Sequence, residues 1–151
     1  MATREGVGLV GAGLLGTAIA ERLLGAGYPV VVHDVDAERC AALRQLGAEP
    51  MENAAEVAKV CQRIVFCLPD SNAVEHVLTQ VLPALSSGQI ILDTTTGDPV
   101  LEAAWCDRLA DRGTSLVDAT VLGSSQQMRQ GEAVMMFGGD EAAVDRCRDI
   151  I

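Results

Sequence analysis

An apolar run, Val7-Gly8-Leu9-Val10, passes without a break into Gly11-Ala12-Gly13-Leu14-Leu15-Gly16 and then into a stretch of helical periodicity. Strand, tight glycine turn and helix in that order form the opening of a βαβ unit. Leu15, Ile19, Leu23 and Ala26 line one face of the helix, and Gly27 stands where a C-capping glycine would end it. The rest of the chain repeats the alternation. Further strands are expected at Val30–His33, Ile64–Leu68, Ile90–Leu92, Leu116–Ala119 and Val134–Phe137. Several are apolar at every position, as in a parallel sheet covered on both faces. Between them, Cys40, Leu43 and Leu46 mark a helix stopped by Gly47, and 54–60 is a second helical stretch. Val74, Val77, Leu78, Val81 and Leu82 mark a third, with Ser71 as a cap. Asp98-Pro99 reads as cap and first-turn proline of a fourth, whose buried stripe is Leu101, Ala104, Trp105 and Leu109. A last helix is expected from Asp140, and Met135-Met136 is expected in the core. The pattern implies an α/β fold, a Rossmann-type doubly wound parallel sheet in three layers. No repeat, low-complexity segment or linker interrupts residues 1–151, which read as one domain.

Composition narrows what such a domain can bind. Apolar residues make up 49% of the chain, too many for a disordered polymer. Aromatics are only 3%, which argues against binding bases by stacking. Eleven basic against 21 acidic residues give a net charge of −10, repelling nucleic acid and anionic membranes. An anionic ligand would have to be held by backbone N–H groups. The chain has one lysine, Lys59. Five cysteines form no C-x-x-C pair, and their odd number argues against a disulfide framework. With His33 and His76 far apart, no metal site is expected. The uncharged stretch from Gly6 to Ala20 ends in Ala18-Ile19-Ala20, which resembles the small-residue cleavage site of a secretory leader. Its regular glycines and the Glu5 beside Arg4 fit the glycine turn better. No continuous apolar run reaches the ~18 residues of a membrane span. A cytoplasmic location is the expectation.

The glycine spacing has a mechanism. Gly11 allows the tight turn, Gly13 lets the backbone approach a pyrophosphate, and Gly16 lets the helix pack closely. The pyrophosphate would rest on free N–H groups at the helix N-terminus, where the dipole favours negative charge. The second strand ends at His33-Asp34. A carboxylate at that point accepts hydrogen bonds from ribose hydroxyls and repels a 2′-phosphate, so NAD is expected in preference to NADP. His33, its neighbour on a strand, should point away and is read as structural. Two later segments, Cys67-Leu68-Pro69-Asp70-Ser71-Asn72 and Asp93-Thr94-Thr95-Thr96-Gly97-Asp98-Pro99, each follow a strand, where ligands of open α/β sheets bind. Both read either as loop plus helix cap or as the walls of a crevice beside the glycine turn.

These residues together resemble the N-terminal half of the β-hydroxyacid dehydrogenases, the family of 3-hydroxyisobutyrate dehydrogenase and tartronate semialdehyde reductase. The resemblance rests on Gly8 to Gly16, Cys67-Leu68-Pro69, Asp93 to Pro99, Asp118-Ala119-Thr120-Val121-Leu122-Gly123, Gly131 and Met136-Phe137-Gly138-Gly139. It implies that Gly11, Gly13, Gly16 and the backbone of Leu14 and Leu15 hold the pyrophosphate, and that Asp34 holds the ribose. Leu68 and Pro69 would contact the adenosine side, Thr96 the nicotinamide side, and Asn72 the cofactor. Leu122, Gly123 and Ser124 would match the substrate-binding segment, with departures. The family reads Asp-Ala-Pro-Val-Ser-Gly-Gly there; this chain has Thr120 for the proline, Leu122 for the serine and Ser124 for the second glycine. Leu122 cannot donate a hydrogen bond.

The family's catalytic lysine lies on a long helix after the cofactor domain, in a second, helical substrate and dimerisation domain. Neither is within these 151 residues, and Lys59 matches no catalytic position. The expectation is therefore a dinucleotide-binding domain over residues 1–151. It would serve an oxidoreductase that acts on the CH–OH group of a small 3-hydroxyacid or the matching semialdehyde. No catalytic residue is assigned, no turnover is expected from this chain alone, and apolar surface is left for self-association into a homo-oligomer. Two alternatives stand beside it: a non-catalytic dinucleotide-binding sensor or assembly module, and a 6-phosphogluconate-type or imine-reducing relative.

Overall fold

The computed structural model describes residues 4–151. Seven strands form one sheet: β1 (Val7–Val10), β2 (Val30–His33), β3 (Glu49–Pro50), β4 (Arg63–Phe66), β5 (Ile90–Asp93), β6 (Ser115–Leu122) and β7 (Val134–Gly138). Their spatial order is β3-β2-β1-β4-β5-β6-β7. The first six are parallel, and β7 runs antiparallel to β6, pairing Leu122 with Val134 and Thr120 with Met136. The α-helices are α1 (Leu14–Gly25), α2 (Ala37–Gln45), α3 (Ala54–Val60), α4 (Ser71–Val81), α5 (Pro99–Ala110), α6 (Ser125–Gln130) and α7 (Glu141–Asp145). Among the described residues, no helix is long and apolar enough to cross a membrane.

Alternation along each strand sends neighbouring side chains to opposite faces, and two apolar cores follow. Leu9, Val32, Val65, Leu92, Val117 and Ala119 face a core completed by Ala18, Ile19 and Leu23 of α1 and Met128 of α6. Val10, Val31, Ile64, Phe66, Ile91 and Leu116 face a second core completed by Val57 of α3, Leu78 of α4, and Trp105 and Leu109 of α5. This is the expected three-layer doubly wound sheet.

The structure differs from the expectation in several elements. β7 and the six-residue α6 form a hairpin-like return that brings an antiparallel strand to the sheet edge. Only Met135 of the Met135-Met136 pair turns inward; Met136 is 52% exposed, because no helix covers β7 on the α5 side. The stripe on α5 is narrower than four residues. Trp105 and Leu109 are buried one turn apart, whereas Leu101 and Ala104 are exposed. Asp70, not Ser71, caps α4, accepting from the Ala73 N–H at 2.9 Å. The helix after Asp140 is only five residues long before turns take over. β3 carries too few apolar residues to have announced itself.

Candidate functional site

β1 has β2 on one side and β4 on the other, so the winding direction reverses at β1. Crossover helices leave in opposite directions there, and a crevice opens at the carboxyl ends of the strands. A cavity of about 750 Å³ occupies that position. Val10, Gly11, Gly13, Leu14 and Leu15 form its floor. His33, Asp34, Val35 and Arg39 form one end, and Cys67, Leu68, Pro69 and Thr94–Thr96 form the other wall. One face of α4, through Ala73, His76, Val77 and Gln80, closes the side.

The three glycines of the loop do different jobs. Gly11 has φ +100°, and a Cβ there would strike the Cys67 carbonyl. A Cβ on Gly16 would strike the Gly11 carbonyl, so this glycine lets α1 fold back onto its own loop. A Cβ on Gly13 would meet nothing within 4 Å and would project into open space beside the cavity. Among the described residues, every α-helix except α1 has a side chain capping its N-terminus. At α1 the cap is Gly13, with no side-chain hydrogen bond, and the first-turn amides are left for a partner from the cavity. The Ala12 N–H is already used: it donates to Asp34 Oδ2 at 2.6 Å.

That bond gives Asp34 a second task. Its carboxylate joins the glycine loop to the end of β2, and its other oxygen accepts from the Asp36 N–H at 2.8 Å. His33 also reaches the cavity wall, with Nδ1 at 3.1 Å from the Met51 carbonyl. The Thr94–Thr96 run divides the same way. Thr94 Oγ1 donates to the Phe66 carbonyl at 2.7 Å, and Thr95 Oγ1 accepts from the Leu68 N–H at 3.1 Å. Both side chains are buried, leaving Thr96 exposed on the cavity rim. Ser71 Oγ accepts from the Asp98 N–H at 2.7 Å and so ties the two loops together. Burial pushes the Cys67 thiol above its ordinary pKa, so it packs against the loop as a neutral group.

Not every expected residue comes to the cavity. Asn72 is exposed on the first turn of α4 and does not line it. Leu122, Gly123 and Ser124 lie at the far end of β6. Leu122 is 63% exposed, and the Ser124 hydroxyl is taken as the cap of α6, accepting from the Gln127 N–H. Lys59 stands on the last turn of α3, paired with Glu56 at 2.7 Å, away from the cavity. Sequence reasoning missed Arg39, His76 and Gln80. Arg39 had a signal, because a residue five beyond a strand-end carboxylate on the next helix lies beside it. His76 and Gln80 had another, being one turn apart on α4.

Comparison with known proteins places this geometry. The model of the NAD-binding domain of 6-phosphogluconate dehydrogenase matches residues 6–151. A mitochondrial 3-hydroxyisobutyrate dehydrogenase from Mus musculus is 32% identical over 93% of this chain and 43% of its own length. A 3-sulfolactaldehyde reductase from Escherichia coli (strain K12) is 29% identical over 96% of the chain and 50% of its own length. Among solved structures, a 3-hydroxyisobutyrate dehydrogenase from Mycobacterium tuberculosis superposes with a TM-score of 0.92 at 23% identity, covering 97% of this chain and 50% of that one. The chain thus spans about half the length of the proteins it matches.

Proposed function

The chain belongs to the family of the NAD-binding domain of 6-phosphogluconate dehydrogenase, and on that premise we propose that it is the cofactor-binding part of an NAD-dependent 3-hydroxyacid dehydrogenase. The observation that carries the reading is the uncapped N-terminus of α1 opening into the cavity beside Gly13. A pyrophosphate fits there: its charge meets amides and a helix dipole, and a glycine leaves room for it. Gly11 and Gly16 shape the turn, and the backbone of Gly13, Leu14 and Leu15 holds the diphosphate. The Asp34 carboxylate accepts from the ribose hydroxyls at the other end of the same cavity. Leu68 and Pro69 pack on the adenosine side, and Thr96 offers a hydroxyl to the nicotinamide side. When bound, the dinucleotide supplies hydride transfer, and the protein holds and orients it.

NAD is the preferred cofactor in this reading, because Asp34 faces the 2′ position with negative charge. Calorimetric titration of NADH and NADPH tests it. NADH should bind more tightly, and equal or tighter binding of NADPH would refute the preference.

The substrate would be a small hydroxyacid or its semialdehyde, the class acted on by the dehydrogenase relative. Leu122 narrows it: the side chain stands exposed on the sheet face beside Val134, and offers apolar contact where a hydrogen-bond donor is expected. Residues 1–151 constitute one dinucleotide-binding domain, which binds cofactor without turning over substrate on its own. Leu122 also favours a second reading, a dinucleotide-binding module that assembles through this face without catalysis.

A further inference from the structure

Asp93 and Asp118 sit side by side at the carboxyl end of the sheet, as register partners on β5 and β6. Glu102, near the start of α5, has Oε1 buried and without a hydrogen-bond partner among the described residues. It lines a small pocket with Asp93 and Trp105, and among the described residues no Lys, Arg or His lines that pocket. From α4 come only Ser71, Val74 and Leu78; His76 of the same helix faces the large cavity instead. On α5 itself the neighbouring groups are the Asp98 cap, the Cys106 thiol, kept neutral by burial, and Arg108, stacked on the Trp105 ring at 4.5 Å. We infer that Glu102 is a proton-operated latch that positions one wall of the large cavity. Protonated, it holds the start of α5 down on the two aspartates; ionised, it lifts that turn and slackens the wall.

A third negative charge in this place meets no cation and no hydrogen-bond donor, so the closed packing suits the acid form. Burial, and then the charges of Asp118 and Asp93, push the Glu102 carboxyl up to about 7. In the acid form its hydroxyl has two carboxylates as acceptors. In the ionised form it must reach water, and the turn that carries it is free to move: Val100 is 75% exposed, so lifting it uncovers little. The movement has a path to the large cavity. Asp93 Oδ1 accepts from the Thr95 N–H at 2.9 Å, and Thr95 Oγ1 accepts from the Leu68 N–H at 3.1 Å. Thr95 and Leu68 both line that cavity. A charge that displaces Asp93 therefore reaches the wall through two hydrogen bonds, and the proton selects between two arrangements of one segment.

Trp105 is the chain's one tryptophan and lines the Glu102 pocket, so its fluorescence reads the latch directly. The experiment follows that emission from pH 5.5 to 8.5, with amide hydrogen exchange at both ends of the range. Emission should move to longer wavelength in one transition with its midpoint near 7. The Leu68 and Thr95 amides should exchange severalfold faster at pH 8.5 after correction for the intrinsic base-catalysed rate. Glu102→Gln should abolish both changes, and Asp118→Asn should move the midpoint to lower pH by removing one of the charges that raise it. The same transition in Glu102→Gln would overturn the latch. So would exchange that quickens along α5 but not at Leu68 and Thr95. On the reading that the cavity holds a dinucleotide, NADH should bind about threefold or more weakly at pH 8.5 than at pH 6 in the wild-type chain relative to Glu102→Gln. That comparison cancels the titration of His33 and His76, and identical profiles would overturn the hold on the cavity. A folded chain that binds no NADH at either pH would defeat the dinucleotide reading, while fluorescence and exchange still decide the latch.

Discussion

Three glycines two and three residues apart look alike in a sequence motif, and the structure separates them by what surrounds each. Gly16 has no room for a Cβ, because the Gly11 carbonyl occupies that place. Gly16→Ala should therefore force the loop away from α1 and lower the melting temperature, with a cost of about 1–3 kcal/mol from overpacking. Gly13 has room on its cavity side, with no atom within 4 Å of an added Cβ. Gly13→Val should leave the melting temperature within a few degrees of wild type and weaken NADH and NADPH together by crowding the diphosphate. Thermal denaturation and titration on the same two variants check both statements. A Gly13→Val chain that melts like Gly16→Ala would show that the loop, not the ligand, needs this glycine. The placement of Asp34 at a strand end was legible from spacing alone. Its bond to the Ala12 N–H was not, because it depends on how the glycine loop curls back over β2.

At the level of elements, α5 lies over β5 and β6 and brings three carboxyl groups together. Asp93 and Asp118 are register partners on neighbouring parallel strands, and both fall on the face that α5 covers. Glu102 comes down from α5 with Oε1 buried and without a hydrogen bond, lining a small pocket with Asp93. Burial, and then the charges of Asp118 and Asp93, push Glu102 up to about 7. The sign follows from linkage: the folded state holds a proton here that the unfolded state has released above its ordinary carboxyl pKa. Stability from this group is full below that ordinary value and is lost as pH rises through about 7. Asp93, also raised by burial, acts in the same direction. Denaturant unfolding at pH 5.5 and 8.5 should differ in that sense, by about 1–2 kcal/mol for Glu102 once its partial exposure is allowed for. Glu102→Gln should flatten the profile, and an unchanged slope would remove Glu102 as its source. None of this was readable in advance. The periodicity of α5 suggested a four-residue apolar stripe, but the sheet beneath has carboxylates at its carboxyl end, so only Trp105 and Leu109 sink fully. β7 was legible as a strand and not as antiparallel. Direction comes from the short α6 return, whose six residues are too few for a crossover and carry only a capping box as a signal.

For the whole molecule, the cavity joins groups from β1, β2, β4, β5 and α4, and in the proposed reading these hold the cofactor rather than supply the proton donor. Oxidising a hydroxyacid requires a base to take the hydroxyl proton while hydride leaves carbon, and reduction of the semialdehyde requires the reverse. The chain's lysine, Lys59, is held by Glu56 on α3 and does not line the cavity. His33 is engaged with the Met51 carbonyl, and His76 lies on α4 within hydrogen-bond distance of Gln80. The Thr94 and Thr95 hydroxyls are both committed to backbone partners. Losing a positioned donor costs about 10²–10⁴-fold in rate, and an open crevice loses orientation and water exclusion as well. Purified residues 1–151 should therefore bind NADH and show no turnover above background. An NADH-linked absorbance assay with 3-hydroxyisobutyrate, glycerate, 4-hydroxybutyrate and tartronate semialdehyde checks it. Robust turnover of any of them would mean that an acid or base does stand in this cavity. Thr96, exposed on the cavity rim, and His76 would then be the first residues to replace.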